Sequence, residues 1–175
     1  MPVMTPSIPT ILGNVASVIR TAMNPTKPSA VQTVWTRRRF WKTPQEFLAI
    51  LQRTAGDALA GQINGWMIYR GRTRPVEVRG GQTFLYYSLH RIDCMGYMGV
   101  QDNGVAYSVD QFEAQIEAIR EGLRDNETVF GNMERTIADS EVEFSQEPYT
   151  RFEYTCWGAR ISLEVEALEV ESLTP

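Results

Sequence analysis

His90, Asp93 and Cys94 fall within five positions in the stretch YSLHRIDCMGYMGVQDNG, residues 87–104. Imidazole, carboxylate and thiol are the groups of metal sites and of nucleophile–base pairs, so spacing must decide whether they can act together. The stretch reads as a strand, and side chains three apart in a strand point to opposite faces. His90, Ile92 and Cys94 then share one face, and Leu89, Arg91, Asp93 and Met95 the other. A relay from His90 to Asp93 is excluded in a regular strand. A metal held by His90 and Cys94 lacks local third and fourth ligands. The pattern gives His90, the chain's one histidine, a structural or interface role. It gives Arg91 and Asp93 a cross-strand or inter-subunit ion pair. Cys94 and Cys156 lie far apart without CxxC spacing, which supports neither a disulfide nor a zinc framework and leaves both as small buried hydrophobes.

Two basic clusters remain. WTRRRFWK, residues 35–42, interleaves Trp35, Phe40 and Trp41 with Arg37, Arg38, Arg39 and Lys42, the composition of a surface that contacts phosphates or stacks bases. YRGRTRPVEVRGG sets Arg70, Arg72, Arg74 and Arg79 on a hairpin-like tip. Against nucleic acid stands the net charge of −4. Arginine and aromatic residues are also enriched where proteins meet proteins, and that reading is preferred. The rest of the chain has no GxGxxG after a strand, no GxxxxGK[ST], no HExxH and no GxSxG, so no enzyme, cofactor or metal is expected. Glu113 and Glu117 sit one helical turn apart on an exposed face and read as solvating charge.

The elements that position these residues are marked by caps and periodicity. In KTPQEFLAILQRTAGDALAG, Thr43, Pro44 and Glu46 supply an N-cap, a first-turn proline and a capping-box partner, with Gly61 available as a stop. In SVDQFEAQIEAIREGLRDN, Ser108 and Gln111 form a second capping box, and Phe112, Ile116, Ile119 and Leu123 form the apolar stripe. Between and after these helices the period is two: WMIYRG, PVEVRG and FLYYSLHRIDCMGYMGV, then strands around residues 141–145, 152–156 and 161–165 with Gly158 at the turn between the last two. The expectation is a two-layer α+β domain over residues 34–175, a mainly antiparallel twisted sheet with two amphipathic helices packed on one face. Residues 1–33, with NPTKPSA breaking any helix, read as an extended or partly helical arm ordered against something else.

At 175 residues the chain is long enough for one packed core. Through Val100 it has 12 Lys or Arg against 4 Asp or Glu, and from Gln101 onward 5 against 17, so its halves carry +8 and −12. Such bipolarity suits a subunit meeting copies of itself, or simply two separately solvated halves. MPVMTPSIPTIL reads as neither a signal nor a transit peptide, and no apolar run approaches the ~20 residues that span a bilayer. A soluble protein of a reducing cytoplasm is expected, with no membrane partner.

The order of elements resembles the tail terminator proteins of long-tailed bacteriophages. The proline-rich lead, the first helix, the strand LHRIDCMGYMGVQDNG, the helix YSVDQFEAQIEAIREGLRDN and the closing pair FEYTCWGARISLEVEALEV carry the resemblance, over roughly residues 44–170. The arginine–aromatic cluster and the first 30 residues depart from it. The resemblance implies a virion protein assembled in the host cytoplasm. It would form a homo-oligomeric, hexameric ring at the head-proximal end of the tail, with the tail tube protein on one side and a head–tail neck or connector protein on the other. It would stop tube growth and offer the surface for head joining. Another neck, connector or tube protein of such a particle, or a small nucleic-acid-binding module built on residues 35–42, satisfies the same residues. On the ring reading, the arginine clusters contact neighbouring subunits and acidic strands of the last third answer them.

Overall fold

Capping hydroxyls and prolines open the first two helices. The computed structural model describes residues 7–54, 60–76, 86–100, 108–124, 141–145 and 148–169. Helix α1, Ile8–Met23, starts at Ser7, whose hydroxyl accepts from the Thr10 amide at 3.4 Å, with a proline in its first turn. It buries Ile11, Val15, Ala16, Ile19 and Met23, a stripe at helical spacing. Helix α2, Pro44–Leu51, has the full capping box: Thr43 Oγ1 accepts from the Glu46 amide at 3.2 Å, and Glu46 Oε2 accepts from the Thr43 amide at 3.3 Å. It ends earlier than its sequence suggests. Gln52 turns extended and bridges Ile63, and Gly61, at φ +90°, donates its amide to the Arg53 carbonyl in the turn that leads back to the sheet. Gly61 therefore serves that turn and does not stop a helix. Helix α3, Ser108–Arg124, follows the expected stripe, burying Phe112, Ile116, Ile119 and Leu123.

The sheet is mixed, in the order β1-β2-β3-β6-β4, with β5 also on β6. The strands are β1 (Val34–Trp35), β2 (Asn64–Val76), β3 (Tyr86–Gly99), β4 (Glu141–Phe144), β5 (Tyr149–Arg151) and β6 (Tyr154–Glu169). Among the described strands, only the β1–β2 pairing is parallel. Two readings of turns are corrected. GRTRP is no hairpin tip: β2 runs straight through it with a register shift between Arg70 and Arg72, a bulge at Gly71 that absorbs the irregularity without ending the strand. Arg70, Arg72 and Arg74 therefore stand on a strand, while Arg79 lies outside the described residues. Gly158 is not at a turn either. It lies inside β6 opposite Tyr97, and the chain reverses instead at Phe152 and Glu153, with Phe152 at φ +55°. The closing strands are consequently not a meander. Strand β6 is the hub, pairing with β3 along 14 positions and with β4 and β5 on its other side.

Two amphipathic helices do cover one face of this α+β fold, but they are α1 and α3. Their apolar stripes share one core with Trp66, Ile68, Ile92, Cys94, Ile161, Leu163 and Val165. The expectation of a separate N-terminal arm is corrected for Ile8–Met23: its buried stripe is part of the main core because α3 alone cannot cover so long a sheet. Tight approaches set the spacing. A Cβ on Gly122 of α3 would lie 2.6 Å from Val18 of α1, and one on Gly96 would lie 2.5 Å from the Trp66 ring. Asn64 and Gln115, both buried, exchange amide hydrogen bonds of 3.0 and 3.4 Å that lock α3 to the start of β2. Helix α2 packs on the opposite, or reverse, face, where Phe47 and Leu51 join Ile63, Cys156, Trp41, Tyr97 and Tyr154.

Candidate interaction surface on the reverse face of the sheet

Strand alternation separates the residues that looked like chemistry. His90 points into the core side, 2% exposed, with Nδ1 3.0 Å from Thr73 Oγ1. Asp93 lies on the reverse face, so the two never meet, as the period predicts. Cys94 is fully buried at the core, and burial with the nearby Asp93 charge pushes its thiol far above the ordinary range. Burial pushes Cys156 up to about 11. Among the described residues no group of His, Cys, Asp and Glu could hold a metal. At pH 8 both thiols of the native protein should react with a thiol reagent at least roughly a hundredfold more slowly than in denaturant, since two units of pKa remove that much thiolate. Fast labelling of either thiol in the native protein would contradict this burial.

Asp93 is instead the centre of an ionic cluster on the reverse face. Its Oδ1 accepts from Ser162 Oγ at 2.8 Å, from Arg91 Nε at 3.1 Å, and from Arg160 Nε and Nη2 at 3.2 and 3.1 Å. The register explains the convergence: Asp93 pairs with Ser162 across β3–β6, and Met95, on the same face, pairs with Arg160. Burial raises the Asp93 pKa, but the hydrogen bonds from Arg160, Ser162 and Arg91 outweigh it and hold the carboxyl below its ordinary 3.8. The other oxygen sits against the bulge. A side chain at Gly71 would collide with Asp93 Oδ2, so the glycine is required by this close approach.

Three acids of the last strands are answered within the chain. Glu141 lies 3.8 Å from Arg91, Glu143 3.7 Å from Arg160 and Glu164 3.7 Å from Arg74. The expectation that these strands answer a neighbour's arginines finds them engaged at home. Such exposed pairs contribute about 0–1 kcal/mol each, so they orient side chains more than they stabilise the fold.

The segment WTRRRFWK crosses the same face beside this cluster. Its backbone is tied by the Arg39 amide to Met67 Sδ at 3.3 Å, and the Trp35 indole donates to the Ile50 carbonyl at 2.9 Å. Arg39 lies 4.2 Å over the Trp35 ring, and Arg38 stands between Phe40 and Tyr69 at 5.2 and 5.4 Å. Trp41 packs edge-on to Phe47 and Tyr97. Phe40 is 76% exposed, an unusual position for a ring that size. Arg151 of β5, not anticipated from sequence, joins them at 5.7 Å from Trp41 and 5.6 Å from Phe152. Arg160, Tyr69 and Tyr97 were likewise missed, although alternation around Asp93 carries the signal for them. Between this segment and the ionic cluster runs an open groove of about 780 Å³, reached by Arg38, Trp41, Tyr69, Asp93, Arg151 and Arg160. Arg37 and Lys42 are exposed too, but Arg37 lines a separate open pocket with Arg20, Trp35 and Gln52, and exposed Arg70, Arg72 and Arg74 lie further along β2.

No protein-family model and no curated protein matches this chain. Among the described residues, no helix is long and apolar enough to cross a membrane.

Proposed function

We propose that the protein is a structural subunit of a long-tailed bacteriophage, a tail terminator whose ring caps the tail tube, halts its polymerisation and presents the surface for head joining. One observation carries the reading furthest: unlike charged patches on opposite sides of the sheet. The reverse face presents Arg38 against exposed Phe40 and Arg151 against Trp41, with exposed Arg37 and Lys42 flanking them along the chain, and the outer side of α3 presents Asp110, Glu113, Glu117 and Glu121. A subunit with unlike patches on opposite sides is suited to head-to-tail contacts around a ring, and such contacts need no covalent chemistry.

A nucleic-acid module is the second reading, favoured by the arginines and rings of residues 35–42. The geometry weakens it, because guanidiniums of this chain already cover the rings of Trp35, Tyr69 and Trp41 that a base would stack on. Light scattering on the purified protein, free, with DNA, and with tail tubes, separates the readings. A hexamer, or a monomer that forms rings only at tube ends, supports the terminator. A stable monomer that changes mass only with DNA overturns it. Replacing Arg37, Arg38 and Arg39 together with serine should weaken ring formation in a salt-sensitive manner, and rings of wild-type stability from that variant would count against the role of the segment.

A further inference from the structure

We infer that the acidic outer face of α3 docks onto the arginine–aromatic face of residues 37–42 and Arg151 in a second copy of this chain. The inference rests on the ring reading above and names the surfaces that would form its contacts. The first ground is what each charge already does. Glu141, Glu143 and Glu164 are paired with arginines of their own chain, while Asp110, Glu113 and Glu121 make no ion pair among the described residues. Glu117 is held 2.9 Å from Arg120 but remains 62% exposed.

The second ground is shape. Helical spacing places Asp110, Glu113, Glu117 and Glu121 along one stripe about 16 Å long. Exposed Ala114 and Ala118 lie beside that stripe and leave a shallow apolar track between the acids and the rim of the helix. On the other surface Phe40, 76% exposed, lies 5.2 Å from the Arg38 guanidinium, with exposed Arg37 and Lys42 next to the pair along the chain. A ring that lies on small side chains while cations meet carboxylates at its flanks is the arrangement of an apolar centre with a charged rim. Arg120 and Arg124 stand towards the C-terminal end of α3, so the attraction is strongest towards its N-terminal turns and fixes the direction of the helix on its partner.

Charge reversal tests this directly. One variant carries Arg37→Glu and Arg38→Glu, the other Glu113→Arg and Glu117→Arg, all at exposed positions. In a head-to-tail contact each variant alone opposes like charges on both of its surfaces, whereas an alternating mixture restores attraction at every contact. The expected result is a wild-type ring, two variants that sediment as folded monomers, and rings again from the equimolar mixture. Variants that assemble alone, or a mixture that stays monomeric beside a wild-type ring, overturn the contact while leaving the ring reading in place. A wild-type protein that is monomeric both free and at tube ends overturns the two together. Oligonucleotide binding by the wild-type protein that the arginine variant loses, without any effect on assembly, assigns the basic face to nucleic acid and overturns the contact as well.

Discussion

Alanine at Gly96 will destabilise the protein by about 3 kcal/mol or more, at the upper end of what overpacking a core costs. Nothing in the backbone at Gly96 demands glycine, since the one described glycine with positive φ is Gly61. The demand comes from across the sheet. Gly96 pairs with Trp66, whose ring lies flat over it, so a methyl group would meet three ring atoms at 2.5 to 2.6 Å. The indole cannot retreat: it is fully buried, and Phe112 of α3 stands 5.9 Å behind it. The strain would therefore pass into the seat of α3. Urea denaturation of Gly96→Ala, Trp66→Leu and the double variant measures this. The smaller leucine should make room for the methyl group, so the double variant should be less destabilised than the sum of the single changes. Simple additivity would show that the ring and the glycine are not coupled.

Asp93→Ala should cost on the order of 2–4 kcal/mol, and the cost should shrink in acid. Asp93 is 3% exposed, whereas the side chains of Arg91 and Arg160 are each 33% exposed. Removing the carboxylate leaves two cations that water can partly reach, which places the effect below that of a fully buried broken pair. The carboxyl is held below its ordinary 3.8, first against the cost of burial and by the hydrogen bonds of Arg160, Ser162 and Arg91. A depressed folded-state pKa contributes stability above the unfolded value and loses it as pH falls through the lower folded value. Wild type should therefore lose more stability than Asp93→Asn as pH falls below 3.8, and the two curves should converge. Parallel curves across that range would remove Asp93 from its place as the ionic centre of the face.

The sequence carried the helices and the strand faces because both depend on local chemistry. Thr43 and Glu46 made their capping box, the stripe of Phe112, Ile116, Ile119 and Leu123 was buried, and alternation set His90 and Asp93 on opposite faces. Local signals failed where a long-range partner decided the outcome. GRTRP has turn composition, yet pairing of Arg72 to Val76 with β3 keeps it extended; Gly158 is held in β6 by its place opposite Tyr97. The periodic piece from Ile11 to Met23 gave no sign that α3 would share its core. At the candidate surface, residues 35–42 were legible as a unit, but Arg151 and Arg160 were not, because only the β6 register brings them to Trp41 and Asp93. Gly71 and Gly96 were the unused signals: a glycine inside a strand marks a close approach, here of a carboxylate and of an indole.

The position of β6 has a consequence for how the chain is made. Residues 154–169 supply the partner for every described residue of β3 and for both short strands, yet they are synthesised after all of them. Until they emerge from the ribosome, β3 is paired on one side only and its other edge of 14 residues offers open amides and carbonyls to any passing strand. The central pairing also joins residues dozens of positions apart, from Gly99 with Cys156 to Tyr86 with Glu169, so it closes late and slowly. The nascent chain thus passes through a stage in which its longest sheet edge is exposed, and a cell making many copies at once would have to keep those half-built sheets from finding each other before each acquires its own last strand.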